Sequence, residues 1–228
     1  MTDYPLPHFP AHPDCTLCPL HEAAHTPGIA TTYLQQSLFP DREPVPPAVV
    51  FIGMNPGVQE DKEGAPFVGP SGDILRQYID GLSLLTRTTI YLTNTVRCGP
   101  HNKFPKSCIK ACLPYTLADL SKIFSRHRRT ALICTGAIAT EAISTAYLSH
   151  KMKLGTHHTL PPPSDNIFLL SCYHPAYFMR SPTPQLAQQI ADQLEPLNRW
   201  LLDDLSSPAS TISLSLHPLN LKRSGPPQ

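Results

Sequence analysis

The stretch "AVVFIGMNPG", residues 48–57, runs apolar without a break to Gly53 and then turns sharply at Asn55, Pro56 and Gly57. A strand with one wet face alternates apolar and polar residues, and this one does not, so it reads as a strand buried on both sides. Three more runs share the pattern: "IYLTNTV" (90–96), "ALICTG" (131–136) and "IFLLSC" (167–172). Helix-like segments at about 71–84, 109–127, 137–149 and 183–205 lie between and after them. Alternation of this kind favours a parallel sheet covered on both faces. The expected architecture is α/β: a three-layer α/β/α sandwich with a central four-stranded parallel sheet and its site at the carboxyl ends of the strands. Asn55, Asn94, Gly136 and His174 close those strands, so chemistry is sought there.

A chain of 228 residues can bury one substantial core. The central domain is expected over residues 14–205, with a disordered N-terminal arm at 1–13 and a flexible tail at 206–228, both rich in Pro and Ser. No stretch approaches the roughly 18–20 continuous apolar residues of a membrane span, and the N-terminus has no basic region leading into an apolar run. A soluble, monomeric, cytoplasmic protein is the expectation. The net charge of +1 hides an asymmetry: Arg87, Arg97, Lys103, Lys106, Lys110, Lys122, Arg126, Arg128 and Arg129 are opposed only by Asp119 in their stretch. Such a run can make a phosphate-binding face or a merely solvated one.

Seven cysteines in a chain read as cytoplasmic argue for reduced thiols or metal ligation rather than a disulfide framework. "CTLCPLH" sets Cys15 and Cys18 with two residues between them, close enough to share one metal centre. Cys98 follows the second strand and Cys112 opens "CLPYTLADL". Four thiolates suit an iron–sulfur cluster or structural zinc, with Cys108 an alternative to Cys112. Cys134 and Cys172, inside apolar runs, read as core residues.

Two glycine turns, "GMNPG" and "GPSGD", can bring backbone amides and a helix N-terminus at Ser71 toward an anion. "SCYHPAYFMRSP" (171–182) fixes His174 at a strand end and follows it with Tyr177, Phe178, Met179 and Arg180. As a flexible apolar loop beside a cation, that set could wedge between bases.

The paired cysteines, "PFVGPSG", "YLTNTVRC", "CLPY" and "YHPAYFMRSP", in this order, resemble the family-four branch of the uracil-DNA glycosylase superfamily, whose members carry a four-iron four-sulfur (4Fe-4S) cluster. The resemblance covers roughly residues 12–205. Family-four enzymes usually have Gly-Glu-Ala-Pro-Gly where this chain has "GMNPG". That string is similar to the single-strand-selective monofunctional glycosylases, and close to the Gly-Ile-Asn-Pro-Gly of the mismatch-specific branch.

The resemblance implies hydrolysis of the bond between a flipped pyrimidine and deoxyribose, in single- or double-stranded DNA, without a covalent trap. It implies catalytic roles for Asn55, holding the attacking water, and His174, donating a hydrogen bond to the departing base at O2. Gly53, Met54, Gly57, Phe67 and Asn94 would bind the base, with Phe67 stacking on it and Asn94 bonding its edge. Ser71, Tyr177, Phe178 and Arg180 would contact DNA, and Cys15, Cys18, Cys98 and Cys112 would hold the cluster, zinc being the alternative. Because Gly57 leaves space at C5 and the Asn94 amide matches uracil or cytosine according to its orientation, the substrate is uracil or a C5-modified pyrimidine. The settings implied are base-excision repair or, alternatively, antiviral excision of hypermodified cytosine from phage DNA. A non-catalytic metal-bearing module that binds nucleic acid is the reading from a different class. The branch that traps DNA through a histidine in Lys-Arg-Arg-Ile-His is not matched by "GPHNKFPKSC", so His101 reads as a surface loop residue.

Overall fold

The protein is described by a computed structural model that covers residues 7–35, 45–80, 88–100, 103–161, 164 and 166–205. Arg87, His101 and the expected tail at 206–228 lie outside the described residues. In chain order the strands are β1 (Thr32–Gln35), β2 (Ala48–Gly53), β3 (Thr89–Asn94), β4 (Thr130–Thr135), β5 (His157–Thr159) and β6 (Ile167–Cys172). The helices are α1 (Leu20–Ala23), α2 (Val58–Glu63), α3 (Pro70–Asp80), α4 (Lys106–Arg126), α5 (Ala137–Leu148), α6 (Pro175–Arg180) and α7 (Pro184–Leu205).

The four apolar runs are the parallel centre of the sheet, and every residue of β2, β3, β4 and β6 is buried. The sheet has six strands rather than four, in the order β1-β3-β2-β4-β6-β5, because β1 and β5 add antiparallel to its two edges. Those edges, "TYLQ" and "HHT", are short and polar, so they lack the continuous apolar signal that marked the centre.

Alternation along β2 divides two cores. Val49 and Phe51 pack with Ile74, Tyr78, Ile190 and Leu194 of α3 and α7. Ala48, Val50 and Ile52 face Leu120, Ile123, Ala139 and Ile143 of α4 and α5. Each Val, Leu, Ile or Phe among them contributes about 1.5–3 kcal/mol by leaving water. The result is the three-layer sandwich, with α2, α5 and α6 starting at the carboxyl ends of β2, β4 and β6.

One expectation needs correction. Residues 7–13 are not a detached arm, since Phe9 is buried edge-on against Tyr91 and the His12 amide donates to the Gly28 carbonyl at 2.9 Å. In the basic stretch, which left a phosphate-binding and a merely solvated reading open, several cations are engaged. Arg97 is buried against Asp119, Lys106 pairs with Glu141, and the Arg129 guanidinium lies over the Trp200 ring. Among the described residues no helix is long and apolar enough to cross a membrane.

Candidate active site

A cavity of about 530 Å³ opens at the carboxyl ends of β2, β3, β4 and β6. Met54, Asn55, Gly57, Phe67, Ser71, Asn94, His174 and Arg180, all singled out from the sequence, line it. The turn after β2 is held by the strand beside it: Thr95 Oγ1 and the Val96 amide both donate to the Met54 carbonyl at 2.9 Å. Gly53 lies beneath the Asn94 side chain, and a Cβ there would stand 2.3 Å from Asn94 Oδ1. Only glycine lets the amide of Asn94 lie so close to the strand end. The Asn55 amide nitrogen donates to the Pro56 carbonyl at 2.9 Å.

Glu60 carries no signal in the sequence beyond a charge in a loop, yet its carboxylate ties the two glycine turns together. Its Oε2 accepts from the Gly57 amide at 3.1 Å and its Oε1 from the Gly69 amide at 3.0 Å, and the residue is 7% exposed. A Cβ on Gly57 would meet Glu60 Oε2 at 2.6 Å. The space vacated at Gly57 is therefore bordered by an anionic acceptor, which amends the expectation of simply open room. The next residue, Asp61, accepts from the amides of His25 and Thr26 at 2.9 and 3.0 Å and fastens the cysteine-bearing N-terminal segment to α2.

Phe67 is buried with φ at 57°, the left-handed region that costs a non-glycine residue roughly 1–2 kcal/mol. Arg76 Nη1 holds its carbonyl at 3.0 Å, and its ring lies 6.3 Å from the His174 ring at an interplanar angle of 24°. Both rings line the cavity.

His174 is the N-cap of α6, and its Nδ1 accepts from the Ala176 amide at 3.1 Å. Burial first, then the Arg180 charge, pulls the imidazole down to about 4, so it is neutral near pH 7. With Nδ1 accepting, the proton resides on Nε2, which makes the ring a donor.

The segment after His174 is helix α6 rather than a flexible loop. Phe178, grouped with the wedge from sequence, is 4% exposed and belongs to the core beneath β6. Six residues of helix must turn one side inward, and Phe178 is on it. Tyr177 and Met179 are exposed instead, with Arg180 5.9 Å from the centroid of Tyr177. Exposed Val58 and Ile138 complete an apolar rim at the mouth of the cavity, a feature no sequence motif announced.

The cysteines form a second feature. Cys15, Cys18, Cys98 and Cys112 ring a narrow cavity together with His12, Arg97 and Tyr115. The Gly28 amide donates to Cys98 Sγ at 3.4 Å and the Arg97 amide to Cys112 Sγ at 3.3 Å. Burial raises the thiol pKa of Cys98 and lifts that of Cys112 to about 11, an expense that a bound cation would offset. Cys112 lies in the second turn of α4 rather than opening it, and Cys108, one turn earlier, is buried but does not border this cavity. Among the described residues no three His, Cys, Asp or Glu side chains are gathered around a single ion's position. Cys134 and Cys172 are buried in the cores.

Residues 40–197 match the family model described as the uracil DNA glycosylase superfamily. The chain is similar to a type-4 uracil-DNA glycosylase of Pyrobaculum aerophilum, 27% identical over 175 residues that cover 74% of this chain and 81% of that protein. Similar proteins with the same name occur in Saccharolobus solfataricus, 33% identical over 59% of this chain and 63% of that one, and in Thermotoga maritima, 25% identical over 82% and 89%. Since the match runs through the strand-end residues Asn55, Asn94 and His174 that build the cavity, the chain belongs to the uracil DNA glycosylase superfamily and is a DNA glycosylase.

Proposed function

We propose that this glycosylase is monofunctional and hydrolyses the N-glycosidic bond of a flipped pyrimidine, uracil or a C5-modified base, leaving an abasic site for base-excision repair. The observation that carries the reading is the neutral His174 imidazole, fixed by the Ala176 amide and lining the same cavity as Phe67 and Asn94. As the bond breaks, negative charge gathers on the pyrimidine at O2 and positive charge on the sugar. An Nε2–H aimed at that oxygen stabilises charge that exists only beyond the ground state, which is where binding energy accelerates a reaction.

Phe67 would stack on the base, and Asn94 would bond its edge with one donor and one acceptor. The Asn55 amide oxygen, an acceptor, would hold the attacking water. An amide is too weak a base to remove a proton early, so this role is positioning, and stabilisation of the departing base carries more of the barrier. Ser71 at the start of α3, with Arg180 and Tyr177, would meet the DNA backbone and the gap left by the flipped base.

The donor set of the second cavity fits a four-iron four-sulfur cluster on Cys15, Cys18, Cys98 and Cys112. Four thiols bordering one cavity but not gathered around a single ion's position, two of them accepting backbone N–H bonds, suit a multi-atom cluster better than one zinc ion. When bound, the cluster would supply a covalent cross-link between the N-terminal segment, the end of β3 and α4.

A second reading, excision of hypermodified cytosine from phage DNA, draws on the Gly57 turn. There the neighbour of the base is the Glu60 carboxylate, which can accept from an amino or hydroxymethyl group. Incubation with uracil-, hydroxymethyluracil- and phage-modified cytosine DNA, with the released base identified by mass, separates the two. Release of no base from any of them, with DNA still bound, would point to the non-catalytic binding module instead.

A further inference from the structure

Arg97 takes no part in the hydrolysis outlined above, yet it is 1% exposed, a guanidinium removed from water on all sides. Such burial is costly unless each donor finds an acceptor. Nη2 donates to Asp119 Oδ2 at 2.6 Å and to Thr31 Oγ1 at 3.3 Å. Nε and Nη1 are buried without a partner. Arg97 borders the cavity ringed by the four cysteines, while its ion-pair partner Asp119 does not. The main-chain N–H of Arg97 donates to the Cys112 sulfur at 3.3 Å.

We infer that Arg97 is a positioning residue for the metal–sulfur group of this cavity, its Nε–H and Nη1–H serving as donors to the sulfur atoms and its charge balancing the group. The inference rests on the cluster reading given above. Four thiolates leave a bound four-iron four-sulfur cluster negative, which is the acceptor that two orphaned guanidinium donors lack. Hydrogen bonds to sulfur and a nearby cation favour both retention of such a cluster and its reduction. The placement also joins the two cavities. Arg97 stands three residues beyond Asn94, and the intervening Thr95 and Val96 grip the Met54 carbonyl of the catalytic turn.

Arg97→Lys in the full-length protein keeps a cation for Asp119 and removes the planar fork. Arg97→Gln, made in parallel, keeps one planar amide and removes the charge, so either folded variant gives a reading. The measurements are iron and sulfide content, the rate at which a chelator bleaches the visible absorption, and the midpoint potential. Bleaching is expected to quicken about tenfold or more. The potential is expected to become more negative, because an added electron loses its donors, while circular dichroism stays that of the wild type. Unchanged bleaching and potential in a folded variant with full iron content overturn the inference and leave the cluster reading standing. Wild-type protein without iron and sulfide overturns the cluster reading, and this inference with it.

Discussion

At the scale of single residues the proposed mechanism rests on two side chains that act by different means. In that mechanism His174 opposes charge on the departing base, so His174→Ala should lower the single-turnover excision rate by about 10²–10³-fold, as loss of one oxyanion donor does. Asn55→Ala removes a water-holding group and should cost about 10²-fold. Both variants should bind substrate DNA as tightly as the wild type in a filter or anisotropy assay, because neither residue is needed to hold the backbone. Excision at the wild-type rate by both would show that the chemistry is elsewhere. Glu60 works at one remove, through two amides. Glu60→Gln turns one acceptor into a donor facing an N–H, and a loss of about 1–3 kcal/mol is expected in urea unfolding; no loss would mean that the two turns do not depend on it.

Helix α6 shows how an element divides its labour between faces. Phe178 fills the core, and Phe178→Ala should destabilise the fold by about 3–5 kcal/mol, read as a fall in melting temperature. Tyr177 and Arg180 point outward beside the cavity, and their alanine variants should leave the melting temperature unchanged. They should slow excision from a base pair by about tenfold while sparing single strands, because only the duplex must be unstacked and held open. Equal loss on both substrates would remove the wedge role. The His-Pro step and the bulky residues after it made the segment visible in sequence, but a helix this short gives too few turns to say which aromatic faces inward.

Across the whole molecule, buried histidines set an acid limit. His127 accepts from the Tyr91 hydroxyl and donates to the Pro46 carbonyl, and burial holds it at about 4 against an ordinary 6.5. His174 is held at about 4 as well, by burial and by Arg180. Between these values the unfolded chain takes up protons that the folded chain refuses. Stability from both groups is therefore complete above pH 6.5 and is lost as pH falls toward 4. For His127 the loss amounts to at most about 3 kcal/mol. Urea midpoints measured from pH 7 downward should fall through this window. His127→Gln should flatten the fall; an unaltered slope in that variant would assign the acid sensitivity to other groups.

The sequence by itself determined the parallel centre of the sheet and the residues that meet at its carboxyl edge. Continuous apolar runs report burial on two faces, and the residue that ends each run must lie at the sheet's rim. The edge strands β1 and β5 escaped because short polar strands have no such signature. Tertiary structure alone turned Phe178 inward, buried Arg97 and brought the Glu60 carboxylate to both glycine turns. Each of these depends on which neighbour packs against a side chain from a distant part of the chain. Local spacing fixes the face of an element, whereas contact across elements decides what that face meets.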